Sequence, residues 1–489
     1  MASASARFRP LSEKILQSSY RLSPSEIGIA TEIVSEGERQ IADLDVAIAR
    51  ARIELEQLTQ QREVVRKQVL EHRQAIRPVR RLPPEIVSKL LVSALPDTPH
   101  DDFADTPWYL GHICRYWRDV ALAEPALWLD IFIMGADNYS IERLETQLAR
   151  SSNFPLKVLF WSSLFGKTSS HAITLLQMLI SRATRWTTAS IVMNAGAFCH
   201  LAPLRGRIPR LHYLRISISE YEGSGSAESS DPFEIAPALR EVVLENLTGL
   251  PHPLVVPFGQ LTYLKADDEA PVAAILRCTP GLEHASFDFN EVFFSGPPIS
   301  LPRLRNLYIS SLGFLSHLIL PSLEELYMVD ADPAPLLSLL RRCLSIKLRT
   351  LRIAFCTPDR TSAILAACPT VKTLGIQIVA DDNGNKLVKN LAVRRQGSCM
   401  GPNVDSITIG LDRSEIKQDA FVRMVESRWR VPAQGGPCCR LRSIELLIND
   451  GMTLSTSTLE RLDVLKREGL RVSVLEGLDA LKALQDWRI

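Results

Sequence analysis

The chain has 489 residues, 56 Lys and Arg against 55 Asp and Glu, a formal net charge of +1, and 46% hydrophobic residues. It is too apolar for a disordered chain and too nearly neutral to work by bulk attraction to nucleic acid or an anionic membrane, so neither is expected as a partner. Its 30 prolines and 24 glycines are close to average usage, which excludes collagen-like and low-complexity classes.

The first twenty residues mix Ser, Arg, Glu and Lys and lack the apolar run of a signal peptide. No stretch approaches the ~18 consecutive apolar residues of a membrane helix. A cytoplasmic or nuclear protein is therefore expected, with residues 1–30 flexible. A coiled-coil helix is predicted over 31–76. Ile41, Leu44, Ile48, Ala51, Leu55, Leu58, Arg62, Val65, Val69 and His72 alternate by three and four, and charged or amide residues fill most positions between. That period keeps one narrow apolar seam on a helix. Such a seam can be covered by the chain itself or by a second copy in a homodimer, and the sequence leaves both open.

Residues 77–133 read as a small helical module. Leu82-Pro83-Pro84 opens a helix carrying Ile86, Val87, Leu90 and Leu91 on one face, since proline is tolerated in a first turn. A polar connection follows, then a stripe of Leu110, Ile113, Trp117, Val120 and Ala121, then Pro125-Ala-Leu-Trp128. About fifty residues give little core of their own.

Leu82-Pro-Pro-Glu-Ile-Val87 followed by Cys114-Arg-Tyr-Trp-Arg-Asp-Val-Ala121 and Pro125-Ala-Leu-Trp128 resembles an F-box, most closely those of the large families of mushroom-forming fungi. There too a heptad-bearing helix with a basic end precedes the motif. The connection at 97–107 is longer and more acidic than in the compact pattern. The resemblance implies docking to a Skp-type adaptor and, through it, to a cullin-based ubiquitin ligase. Leu82, Pro83, Ile86, Leu90, Leu91 and Trp117 would then lie at or under that interface. The plainer reading of each, and of Trp128, is core of a three-helix module.

Residues 134–489 repeat. An aliphatic residue, two variable ones, a second aliphatic and an alternating tail recur with first positions at 211, 239, 261, 282, 304, 323, 348, 371, 404 and 441. Of the central spacings, 22, 21, 22, 25 and 23 fall within the ~20–29 residue period of leucine-rich repeats and 19 lies one short of it. Each unit supplies a short strand with one buried face, and several intervals carry an apolar helical turn, such as Val272 to Leu276. One such unit cannot bury its apolar face, but a stack can. The expected fold is therefore α/β: coiled-coil helix, three-helix F-box-like module, then an irregular leucine-rich-repeat solenoid with a curved parallel sheet. Segments 155–161 and 189–193 read as degenerate first repeats, and 414–429, 456–467 and the strand 470–474 as the far end.

Alternate strand positions then line the inner face of the sheet. Tyr213, Tyr263, Tyr308, Tyr327 and Arg352 are the candidate contacts for a protein substrate, because aromatic and Arg side chains dominate binding hot spots. Arg215, Glu241, Glu245, Lys265, His284, Asp288 and Glu325 share that face.

Catalytic patterns are absent from the sequence. Gly166-Lys-Thr168 lacks the second glycine of a phosphate loop, since position 161 is Trp. Nine scattered cysteines include no C-x-x-C pair, and the histidines stand apart from them. Paired acids at 267–268 and 381–382 read as solvated loop charge. No cofactor, metal or enzymatic activity is expected. The sequence is read as a substrate-recognition adaptor of a ubiquitin ligase; the alternative is a scaffolding repeat protein without a ligase role.

Overall fold

The structure, a computed structural model, describes residues 21–75, 78–95, 106–162, 168–219, 231–247, 250, 252–267, 271–289, 296–329, 332–354, 357–379, 383–393, 399–412, 416–432, 438–449 and 452–488. The expectations placed on 1–20, on 97–105, on Gly166-Lys167, on the acids Asp268, Asp381 and Asp382, and on Cys356 fall outside these residues. The chain forms two compact units, Met1–Val87 and Ser88–Ile489.

The first unit is dominated by helix α1 (Pro24–Ala75), 52 residues long and so about 78 Å at the α-helical rise. It starts earlier than the heptads alone suggest, and residues 24–30 are helical, not loose. The cause is local. Ser23 and Glu26 form a capping box: the Glu26 N–H donates to Ser23 Oγ at 3.4 Å, and the Ser23 N–H donates to Glu26 Oε2 at 2.8 Å. Pro24 occupies the first helical position, where no N–H is required.

Helix α2 (Pro84–Ser93) crosses the boundary between the units, which falls after Val87. Beyond it, α3 (Thr106–Leu110) and α4 (Arg115–Ala123) lead to the Pro125–Trp128 turn. Trp128 is buried; its indole N–H donates to the Ala121 carbonyl at 3.0 Å, and its ring meets Trp108 edge-on at 5.0 Å. The guanidinium of Arg150, on helix α5 (Ile141–Arg150), sits 4.5 Å from the Trp128 ring and 5.2 Å from that of Trp108. A module with too little core of its own thus borrows its closing contacts from the first repeat.

The strands run β1 (Asp130–Met134), β2 (Leu156–Trp161), β3 (Trp186–Asn194), β4 (Tyr213–Ser219), β5 (Glu241–Glu245), β6 (Tyr263–Asp267), β7 (His284–Asp288) and β8 (Ile299–Ser300). They continue with β9 (Asn306–Ile309), β10 (Leu318–Ile319), β11 (Glu325–Met328), β12 (Thr350–Ala354), β13 (Thr373–Val379), β14 (Ser406–Asp412), β15 (Ser443–Ile448) and β16 (Arg471–Glu476). Fourteen form one curved parallel sheet in chain order, while β8 and β10 pair separately. All ten repeat motifs supply a strand. The sheet begins one strand earlier than the repeats suggest, at β1, whose Ile131 and Ile133 are fully buried.

Parity along each strand decides which side chain goes where. Leu214 and Ile216, Val242 and Leu244, Leu374 and Ile376 all point into the main core. Helices cover that side: α6 (Ser170–Ile180), α7 (Val272–Arg277), α8 (Pro333–Arg342), α9 (Pro358–Ala367), α10 (Asn383–Leu391), α11 (Gln418–Trp429) and α12 (Thr456–Arg467). Several start at a side-chain cap, with Ser169, Asp332 and Ser455 accepting from N–H groups of the first turn at 3.1, 3.1 and 3.3 Å.

Among the described residues, one charged side chain lies fully inside this layer. Arg428 of α11 is 0% exposed and donates to backbone carbonyls of Leu391 at 2.6 Å, Gly401 at 3.4 Å, Val404 at 3.3 Å, and Met400. Leu391 ends α10, so its carbonyl has no partner within its own helix. Burial pushes the Arg428 guanidinium below its ordinary range, and the neighbouring cysteines Cys399, Cys438 and Cys439 act the other way.

Candidate functional site

Helix α2 carries three of the six expected adaptor contacts, Ile86, Leu90 and Leu91, and the structure sorts the six by burial. Ile86 and Leu90, one turn apart, are exposed at 42% and 46%. Leu91 is buried, as is Val87. Pro83 is exposed and its carbonyl receives the N–H groups of Ile86 and Val87, both at 3.1 Å, so it starts the helix. Leu82 and Trp117 are half-buried. Leu91 therefore belongs to the packing beneath any docking surface, while Ile86 and Leu90 form an apolar ridge on the helix.

The second candidate is the sheet face opposite the helices. Strand pairing aligns Tyr213, Glu241, Tyr263 and His284 in one row. Arg215, Val243, Lys265, Ser286, Tyr308, Tyr327, Arg352 and Gly375 form the next. All five residues expected to contact a substrate thus lie on this one face.

Its two halves differ. Over β4–β7 the face is charged, with Arg215 and Lys265 partly exposed above the buried Val243 and Ser286. Glu245 accepts from Arg215 Nε at 2.9 Å and Nη2 at 2.7 Å, and its other oxygen is 3.8 Å from Lys265 Nζ. Tyr213 and Tyr263 are half-buried beside this cluster. Burial pushes the Tyr263 phenol up to about 12, with Tyr213, Glu241 and Glu245 adding to the effect. Burial also raises the Tyr213 phenol.

That shift has a sign that can be tested. An unfolded tyrosine ionises near pH ~10. Between there and the folded value the unfolded chain binds fewer protons, so stability falls as pH rises through that window. In an absorbance titration Tyr263→Phe is expected to remove one phenol that ionises near pH 12. It should also lessen the alkaline loss of stability in the same window. An unchanged late-ionising fraction would refute the assignment.

Over β9–β15 the face is occupied by the chain's own end. After β16 the backbone turns through Gly477, at φ 59°, into helix α13 (Gly477–Gln485), followed by the turn Asp486–Arg488. Ala480, Leu484 and Trp487 pack with Tyr308, Tyr327, Ala354 and Leu447 in a second apolar cluster. Tyr327 meets Tyr308 edge-on at 4.9 Å and Trp487 at 6.0 Å, and its hydroxyl donates to Gln377 Oε1 at 3.1 Å. The Arg352 guanidinium lies 5.7 Å from the Trp487 ring and 3.5 Å from Glu325.

Tyr308 and Tyr327, expected to be open to a substrate, are 5% and 3% exposed. Their place on the inner face was legible from strand parity, but their cover comes from residues more than a hundred positions away. Arg352 is tied to both the tail and Glu325. Two glycines make room for that cover. A Cβ on Gly410 would stand 2.5 Å from Leu484 Cδ2, and one on Gly375 would stand 2.9 Å from Arg352 Cγ and 3.1 Å from Trp487 Cη2. Glycine at two inner-face positions of adjacent strands, with an amphipathic terminal helix bearing Trp487, was the available signal.

Among the described residues, no group of three or more His, Cys, Asp and Glu side chains is placed to hold a metal ion. No helix among them is long and apolar enough to cross a membrane. The adjacent Cys438 and Cys439 are respectively buried and exposed free thiols, and burial with a hydrogen bond to Cys399 pushes Cys438 up to about 11. No family model matches the chain, and no curated protein matches it in sequence.

Proposed function

We propose that this chain is a substrate-recognition subunit of a Skp–cullin–F-box type of ubiquitin ligase. The F-box-like module docks to the adaptor, and the inner sheet face holds a protein substrate. The observation that carries the reading is the Ile86–Leu90 ridge, exposed on the helix that bears the Leu-Pro-Pro-Glu-Ile motif. Each of these aliphatic side chains is a little under half exposed, so covering it is worth roughly half of the ~1.5–3 kcal/mol of full burial. Substrate contact then falls to the charged half of the inner face, through Tyr213, Tyr263, Arg215 and Lys265.

Co-purification of the full chain with a Skp-type adaptor tests the docking. The wild type is expected to retain adaptor and cullin, and Ile86→Asp with Leu90→Asp to lose both while keeping its circular dichroism and melting profile. Leu82→Ala with Pro83→Ala should weaken retention. No retention by the wild type would overturn the ligase reading. One observation favours the second reading, a scaffolding repeat protein: half of the inner face is already filled by the chain itself.

A further inference from the structure

Helix α1 carries an apolar seam that extends beyond the heptads already named. Ile27, Val34, Ile41, Ile48, Leu55 and Val69 occupy one heptad position, and Leu44, Leu58 and Val65 the other; each is between 46% and 66% exposed. Its charge is lopsided. Residues 24–49 hold six acids (Glu26, Glu32, Glu36, Glu38, Asp43 and Asp45) against the single base Arg39. Residues 50–75 hold six bases against four acids. We propose that residues 38–75 of α1 pair with the same stretch of a second copy of this chain in an antiparallel coiled coil, with Leu55 of each helix opposite Leu58 of the other and with Ile27 and Val34 beyond the paired stretch.

Charge and side-chain size select that arrangement over the parallel one. A parallel, in-register pair would place Arg62 against Arg62 at a core position and lay the acidic half of one helix along the acidic half of the other. In an antiparallel pair, the heptad positions just after the second core position run along the same positions of the partner. Glu38 then faces Arg73 and Asp45 faces Arg66, each twice by symmetry. Flanking charges of this kind set partner choice and orientation.

The core layers agree with the same register. Ile48 meets Val65, Leu44 meets Val69, and the long stem of Arg62 lies over the small Ala51, leaving its charge free to reach water. Sliding the pairing by one heptad in one direction would bring Arg52 against Arg52 and set Arg62 on Leu44, and in the other would face Arg52 with Arg66 and set Arg62 on Leu58. A second copy is the occupant because the helix complements its own charge pattern when reversed. The inference stands apart from the adaptor reading and does not depend on it.

Light scattering on the full chain gives the first test. The wild type is expected at twice the chain mass of 54.5 kDa, and Ile48→Asp with Leu55→Asp at the single-chain mass with an unchanged melting profile. Orientation is read by mild oxidation of cysteine variants, with linked peptides identified by mass. The register predicts a link between Ile41→Cys and His72→Cys chains only when the two are mixed. A wild-type monomer at tens of micromolar would overturn the dimer, and self-linking of Ile41→Cys would overturn the orientation.

Discussion

Trp487→Ala is expected to release the C-terminal helix from the sheet while the repeats stay folded. The indole is 7% exposed and touches Tyr327, Arg352 and the space left by Gly375. Truncating a buried aromatic to Ala costs about 3–5 kcal/mol. What then remains to hold the segment is Leu484 with Ala480, and one buried leucine is worth about 1.5–3 kcal/mol, against the entropy of ordering some ten residues. Hydrogen exchange of amides 477–488 should accelerate by about 100-fold or more, since each ~1.4 kcal/mol is tenfold in a local opening equilibrium. Gly410→Leu should give the same result from the sheet side, because its first side-chain carbon already collides with Leu484. Both variants uncover Tyr308 and Tyr327. If the functional surface includes them, substrate retention rises in both variants. Continued protection of 477–488 in Trp487→Ala would show that the tail is held by something other than this cluster.

Arg428→Met should be the most damaging single substitution among the helices. Methionine fills much of the volume but offers no donors, so the carbonyls of Leu391, Met400 and Val404 lose the guanidinium that satisfies them, while that of Gly401 keeps the Val404 N–H at 3.2 Å. Each stranded buried polar group costs about 1–3 kcal/mol, and partial relaxation of the loop should bring the total to about 3–5 kcal/mol. The urea midpoint followed by circular dichroism is the measurement. Arg428→Lys keeps the charge and only part of the fork, so it should fall between wild type and Met. A Met variant that unfolds like wild type would mean that water replaces the guanidinium at these carbonyls.

The strands of the repeat region were legible because alternation with period two is a local property. Leu-Arg-Ile at 214–216 and Leu-Tyr-Ile at 307–309 each state their own inward and outward faces. The inner-face position of Tyr213, Tyr263, Tyr308, Tyr327 and Arg352 follows from the same parity. Accessibility does not, because it depends on elements far away in sequence: helix α13 covers Tyr308 and Tyr327 but not Tyr213 or Tyr263. The start of α1 is legible in Ser23-Pro-Ser-Glu26, a capping box that outweighs the glycine at position 28. Strand β1 was hidden for another reason. Its Asp-Ile-Phe-Ile-Met directly follows the Trp128 turn, so the module and the first repeat share one continuous stretch of chain.

The returning tail has a thermodynamic consequence. In a stacked array each unit contacts only its neighbours, so the ends can fray without the middle noticing, and stability is close to a sum of nearest-neighbour terms. Trp487 breaks that rule by reaching Tyr327, about 160 residues back, which turns part of an open line into a closed ring. Units from β11 to β16 can then lose order at the far end only if the ring opens, so thermal unfolding of this stretch should be one cooperative step. With the tail released, it should proceed unit by unit from the C-terminal edge.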